Sequence, residues 1–96
     1  MERKNYGDFS YEAQDNGEID IIQYKGDDKD IIVPVDIDGM PVTCINDFSF
    51  AYNKSLESVR LPANLTKIGM AFVGCTSLTN IAIDENNPAY TGIDGV

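Results

Sequence analysis

Histidine is absent from this 96-residue chain, which rules out His-based catalytic triads and His-rich zinc sites. No apolar run approaches the roughly 18 residues of a membrane-spanning helix, so no membrane insertion is expected. The opening Met1-Glu2-Arg3-Lys4-Asn5-Tyr6 leads into polar sequence, so no signal peptide is visible. That is the expectation for a cytoplasmic protein, or for a fragment separated from its leader. Only two cysteines occur, Cys44 and Cys75. They say little about compartment and, with no histidine, make a poor metal set. Basic residues are also scarce, at 7 Lys+Arg against 16 Asp+Glu for a net charge of -9. A phosphate backbone or an anionic lipid surface would be repelled, so nucleic acid is not an expected partner. Cationic partners and divalent metals suit the charge better.

What is present fits one domain, because 96 residues with 43% hydrophobic content can bury a single core. The acids are unevenly placed. Residues 1–40 carry 11 Asp+Glu against 4 Lys+Arg, and residues 41–96 carry 5 against 3.

The second half repeats itself. Phe50/Phe72, Ser55/Ser77, Leu56/Leu78, Val59/Ile81 and Leu61/Ile83 all lie 22 residues apart, and Ile45/Ile68 lie 23 apart. In Leu56-x-x-Val59-x-Leu61 the last two apolar residues alternate as on a strand, which turns Ser58 and Arg60 outward. Pro62 cannot donate to a ladder and marks the strand's end. Ile45 to Asn53, apolar at 45, 48 and 50, is long enough for one turn of helix or a 3₁₀ stretch. One such coil cannot bury its own apolar side, so successive coils must stack at strand spacing.

The first third reads differently. Asn16-Gly17 signals a turn before the run Ile19-Asp20-Ile21-Ile22, and Lys25 to Asp30 form a polar loop. Ile31-Ile32-Val33-Pro34 parallels Val59-Arg60-Leu61-Pro62 and suggests its register. Asp38-Gly39, between Val35/Ile37 and Val42, is a two-residue hairpin signal. The expected organisation is an N-terminal β cap with the first strand over residues 1–43. Two repeats and the start of a further coil follow over 44–96, within one domain.

These residues resemble the BspA-like leucine-rich repeats of bacterial proteins. Their unit runs roughly I-G-x-x-A-F-x-x-C-x-S-L-x-x-V-x-I-P, and Ile68, Gly69, Ala71, Phe72, Cys75, Ser77, Leu78, Ile81 and Ile83 match it. The first unit matches less tightly, with Asn46 at the Gly position, Ser49 at Ala and Asn53 at Cys. Asn87-Pro88-Ala89-Tyr90 and Ile93-Asp94-Gly95-Val96 resemble the family's connector to another strand. The resemblance implies a leucine-rich-repeat solenoid, mostly β with short helical or 3₁₀ turns and an N-terminal β-hairpin cap. It also implies protein or glycan binding, often in adhesion at the bacterial cell surface or after secretion, without catalytic residues.

The residues place candidate sites as follows. The outward strand face would present Ile32, Ser58, Arg60, Asn80 and Ala82, with Glu57 and Thr79 at the strand entrances. Cys75 reads as a small buried apolar residue and Cys44 as nearer solvent. A bridge between them is not expected, since they occupy different points of the coil. Asp27, Asp28 and Asp30, and separately Asp36 and Asp38, read as solvated turns without a calcium-loop motif. Ser55 and Ser77 have no nearby base, so neither catalysis nor a cofactor is expected. A stack also needs closed ends. The last coil, around Leu78, Ile81, Ile83 and Ile93, is the expected assembly end. Its cover would be a second copy of the chain or the continuation of a longer repeat array.

Overall fold

A computed structural model describes residues 3–84, 86 and 87. Nine strands are described: β1 Arg3–Tyr6, β2 Phe9–Ala13, β3 Ile19–Tyr24, β4 Asp30–Ile32, β5 Asp36–Ile37, β6 Met40–Ile45, β7 Ser58–Leu61, β8 Lys67–Ile68 and β9 Asn80–Ile83. Two parallel ladders organise them. The first runs β3-β6-β8, pairing Asp20 with Cys44 and Cys44 with Lys67, then Ile21 with Ile45 and Ile45 with Ile68. The second runs β4-β7-β9, pairing Ile31 with Val59 and Val59 with Ile81. Each winding contributes one strand to each ladder, so residues 19–33, 42–61 and 67–83 form three stacked coils. The spacing of 22 residues is therefore one turn of the solenoid.

The N-terminal region supplies more than a cap. β1 and β2 form an antiparallel hairpin, and β2 pairs antiparallel with β3. That ribbon delivers the chain into a complete first coil, with β3 in one ladder and β4 in the other. The border suggested at residue 43 falls inside β6. Asp38 (φ 54°) and Gly39 (φ 78°) close the hairpin between β5 and β6, where Ile37 pairs with Met40. Positive φ at both central residues is the geometry that Asp-Gly suits.

The reading of residues 45–53 as a helical turn is corrected. There the chain makes three overlapping turns, with N–H groups of Ser49, Ala51 and Asn53 bonded to carbonyls of Asn46, Phe48 and Phe50. Alternate amides point elsewhere. Phe48, Tyr52 and Phe50 donate across to Met70, Val73 and Ala71 of the next coil. Backbone donors that a helix would satisfy internally thus join one coil to the next, and Phe48 and Tyr52 adopt positive φ to allow it.

The interior is one apolar column. Ile19, Ile21, Val42, Ile45, Phe50, Leu56, Val59, Leu61 and Leu65 are fully or almost fully buried. An aromatic file crosses all layers: Tyr24 stacks on Phe50 at 5.5 Å and Phe50 on Phe72 at 5.1 Å, while Phe9 tilts against Tyr24 at 5.0 Å. Polar positions inside are matched. Ser49 donates to the Ile21 carbonyl at 3.3 Å and also to that of Asn46. Buried Asn87 donates to the carbonyls of Pro62 (3.0 Å) and Leu65 (2.9 Å).

Candidate binding surface

The second ladder turns one side of each strand to solvent. Its parallel register puts Asp30, Ser58 and Asn80 in one row and Ile32, Arg60 and Ala82 in another. Alternation explains this: Ile31, Val59 and Ile81 between them are buried. The face is therefore contiguous, as the alternation suggested, and the structure adds Asp30, whose carboxylate accepts the Ser58 hydroxyl at 2.6 Å. Ile32 is 71% exposed. These residues line a shallow groove of about 300 Å³. At the strand entrance, Thr79 donates its backbone N–H to the Glu57 carbonyl at 2.9 Å and its hydroxyl to the same oxygen at 3.3 Å. Glu57 and Thr79 flank the groove without lining it.

The expected assembly end is only half covered. Ile81 is buried, and Leu78 and Ile83 pack against the core while staying partly exposed. Ile93 lies outside the described residues. Beside them, an apolar cavity of about 270 Å³ opens between Leu61, Ile68, Ala71, Phe72 and Ile81.

Neither cysteine offers reactive chemistry. The two thiols are free and both half-buried, so Cys75, read as a small buried residue, is only partly covered. Burial pushes the Cys75 thiol's pKa up, and burial together with the Asp20 charge does the same to Cys44. Each stays protonated and weakly nucleophilic. Cys75 instead donates to the Phe50 carbonyl at 3.0 Å. One coil earlier, the Asn53 side chain donates to the Gly26 carbonyl at 3.1 Å. Cysteine and asparagine thus do the same work at one repeat position, tying each coil to the one before.

Exposed aromatic side chains could not be singled out from sequence. The structure exposes Tyr6, Phe48 and Tyr52. Tyr52 lies over Gly74, where an added Cβ would meet the ring at 2.3 Å.

A sequence model of the BspA type leucine rich repeat region (6 copies) matches residues 32–92. The chain belongs to the BspA-type leucine-rich-repeat family. Solved structures agree with this BspA-type fold. A leucine-rich cell surface protein from Faecalibacterium prausnitzii is 29% identical, with a TM-score of 0.82 over 93% of this chain and 25% of that one. A leucine-rich repeat protein of T. pallidum is 29% identical, with a TM-score of 0.78 over 88% of this chain and 41% of that one. A leucine-rich repeat protein from Bacteroides capillosus, at 22% identity and a TM-score of 0.78, shares the fold over 88% of this chain and 67% of that one. The chain thus spans a quarter of the first relative and about two-fifths of the second. No curated protein matches it. The family signature has local causes here. A side chain at Gly69 would strike the Asp47 carboxylate and backbone, and that carboxylate accepts the Met70 N–H at 2.8 Å. Ala71 is buried, and its carbonyl accepts the Phe50 N–H of the coil before it at 2.9 Å.

Proposed function

We propose that this chain is a binding module, not an enzyme, and that it recognises a protein or glycan through the outward face of β4, β7 and β9. The observation that carries the reading is the alignment of Ile32, Arg60 and Ala82 beside Asp30, Ser58 and Asn80 around one groove. An exposed apolar side chain beside an arginine supplies both desolvation and directional hydrogen bonding, a combination that interfaces favour. The cell-surface description of the F. prausnitzii relative supports a bacterial surface location, where binding through this face would serve adhesion. The test is Arg60→Ala with Asn80→Ala, screened against purified extracellular proteins and glycans. A ligand held by the native chain should weaken about tenfold or more, with the melting temperature unchanged. A ligand indifferent to both substitutions would count against this face.

A second reading rests on the half-covered last coil. Partly exposed Ile68, Phe72, Leu78 and Ile83 suit stacking against another coil, from a second copy or from a longer array. Ile83→Glu should then reduce oligomer size in sedimentation while leaving the native fold by circular dichroism. A native chain that stays monomeric at high concentration would rule out self-stacking.

A further inference from the structure

The turn announced by Asn16-Gly17 holds chemistry that neither the sheet face nor the stacking end uses. Among the chain's asparagines, Asn16 alone precedes a glycine. The pair closes the hairpin between β2 and β3. Gln14 donates its backbone N–H to the Glu18 carbonyl at 2.7 Å, and Gly17 donates its own to the Gln14 carbonyl at 3.0 Å. Asn16 is exposed, and Gly17 stands in open space, with nothing within 4 Å of where a Cβ would lie. The Asn16 side chain is nonetheless oriented, because its Oδ1 accepts the Glu18 N–H at 3.0 Å. That bond draws electron density from the carboxamide carbon. It also sets a donor where negative charge would build on the oxygen during attack at that carbon. The carboxamide nitrogen donates to no described residue and faces water.

We propose that Asn16 is a self-modifying site, which deamidates without an enzyme and thereby loosens the N-terminal cap. The Gly17 nitrogen gives its proton to hydroxide and attacks the Asn16 Cγ. A C–N bond forms, closing a cyclic imide, and the carboxamide nitrogen leaves as ammonia after taking a proton from water, which regenerates hydroxide. Water then adds to either imide carbonyl and breaks one C–N bond, leaving aspartate or isoaspartate at position 16. Nothing is oxidised or reduced, and water is the only co-reactant consumed. The fold sets both the brake and the consequence. The Gly17–Gln14 bond holds the proton that must leave, so the reaction waits on opening of the exposed hairpin tip. Asp38-Gly39 is no second such site, since a side-chain carboxylate has no ammonia to release. The two products differ in effect. Aspartate keeps an oxygen for the Glu18 N–H, whereas isoaspartate routes the main chain through Cβ and lengthens the loop that Gln14 and Glu18 close. The distortion falls where cap meets stack. Glu18 accepts the Thr43 hydroxyl of β6 at 2.9 Å, and the next residue, fully buried Ile19, pairs with Val42.

The experiment is prolonged incubation of the full chain at mildly acid, neutral and mildly alkaline pH. Peptide mass spectrometry with fragmentation that separates the two isomers follows the products. Conversion should concentrate at Asn16, rise with pH and yield both isomers. It should quicken about tenfold in urea, where the Gly17 N–H loses its carbonyl partner. Asn16→Gln, whose longer side chain must close a larger ring, should convert about tenfold more slowly or less. The purified isoaspartate form should melt about 4–8 °C lower than the native chain, the shift that lost turn bonds give a domain of this size. Asn16→Asp should melt within about 2 °C of it. A folded chain that keeps its amide while the urea-unfolded chain loses it would show the turn sealed and overturn the proposal. So would equal conversion at other asparagines, undiminished conversion in Asn16→Gln, or an isoaspartate form as stable as Asn16→Asp.

Discussion

The second and third coils carry the same apolar positions but not the same burial. Ile45, Phe50, Leu56 and Leu61 are buried, whereas their counterparts Ile68, Phe72, Leu78 and Ile83 are partly exposed. Of the apolar pairs that recur in both coils, Val59 and Ile81 alone are both buried. The side chains are alike, so the difference lies in position within the stack. The middle coil has a coil on each side, bonded through Ile31–Val59 on one edge of β7 and Val59–Ile81 on the other. A repeat's contribution to stability is therefore set largely by its neighbours, as expected of a quasi-one-dimensional array.

Truncations in matched pairs would break this comparison most directly. Phe50 sits between Tyr24 and Phe72, so Phe50→Ala should cost about 3–5 kcal/mol. Phe72→Ala should cost about 1–3 kcal/mol, because part of its ring is already in water. The aliphatic pair should follow, with Leu56→Ala at about 2–5 kcal/mol and Leu78→Ala clearly less. Urea midpoints with unchanged slopes would measure each difference. Equal losses within a pair would mean that the last coil is covered as well as the middle one.

The two coils also show what alternation and spacing reveal. The repeat, the Val59–Ile81 and Ile31–Val59 registers and the Asp38-Gly39 hairpin were legible because each depends on local chemistry of fixed period. The face of Ser58, Arg60, Asn80 and Ala82 followed from the same alternation. Residues 45–53 did not yield to this reasoning. Apolar residues at 45, 48 and 50 suit a helical turn, but Phe48 is 55% exposed at φ 62°. Nothing in its side chain announces a left-handed backbone, which arises because its N–H bonds to Met70 one coil away. The degree of burial of Leu78 was not legible for a related reason: its type marks it as inward-facing, and only the stack decides how much of it is covered.

A smaller effect should separate the turns of the two coils. Tyr52 in the second lies over Gly74 in the third, which sits at φ 74°. Gly74→Ala would place a methyl against the ring and force alanine into the left-handed region. The ring is 68% exposed and can swing outward, so the residual cost is the backbone term of about 1–2 kcal/mol. Thermal melts check the magnitude, and Gly74→Ala combined with Tyr52→Ala separates clash from backbone. If the second change restores full stability, the contact dominated; if it restores little, the backbone did.

The smallest effect concerns one row shared by all three coils, in which Asp20, Cys44 and Lys67 pair side by side. The Asp20 pKa is raised above the ordinary carboxylate value, first by burial and then by the charges of Glu12 and Glu18, with Lys67 pulling it back. Because the folded value lies above the unfolded one, the native state holds its proton longer. The group therefore costs nothing below the unfolded pKa, and stability falls as pH rises from there through the folded value. Asp20→Asn removes that penalty while leaving an oxygen to accept the Gln14 amide, now bonded at 3.0 Å. The variant should be more stable at neutral pH by about 0.5 kcal/mol, a gain limited by solvent screening. It should converge with the native chain in acid, below the ordinary aspartate pKa. Parallel urea titrations across that range decide it, since a gain independent of pH would trace to packing in the first coil and not to charge.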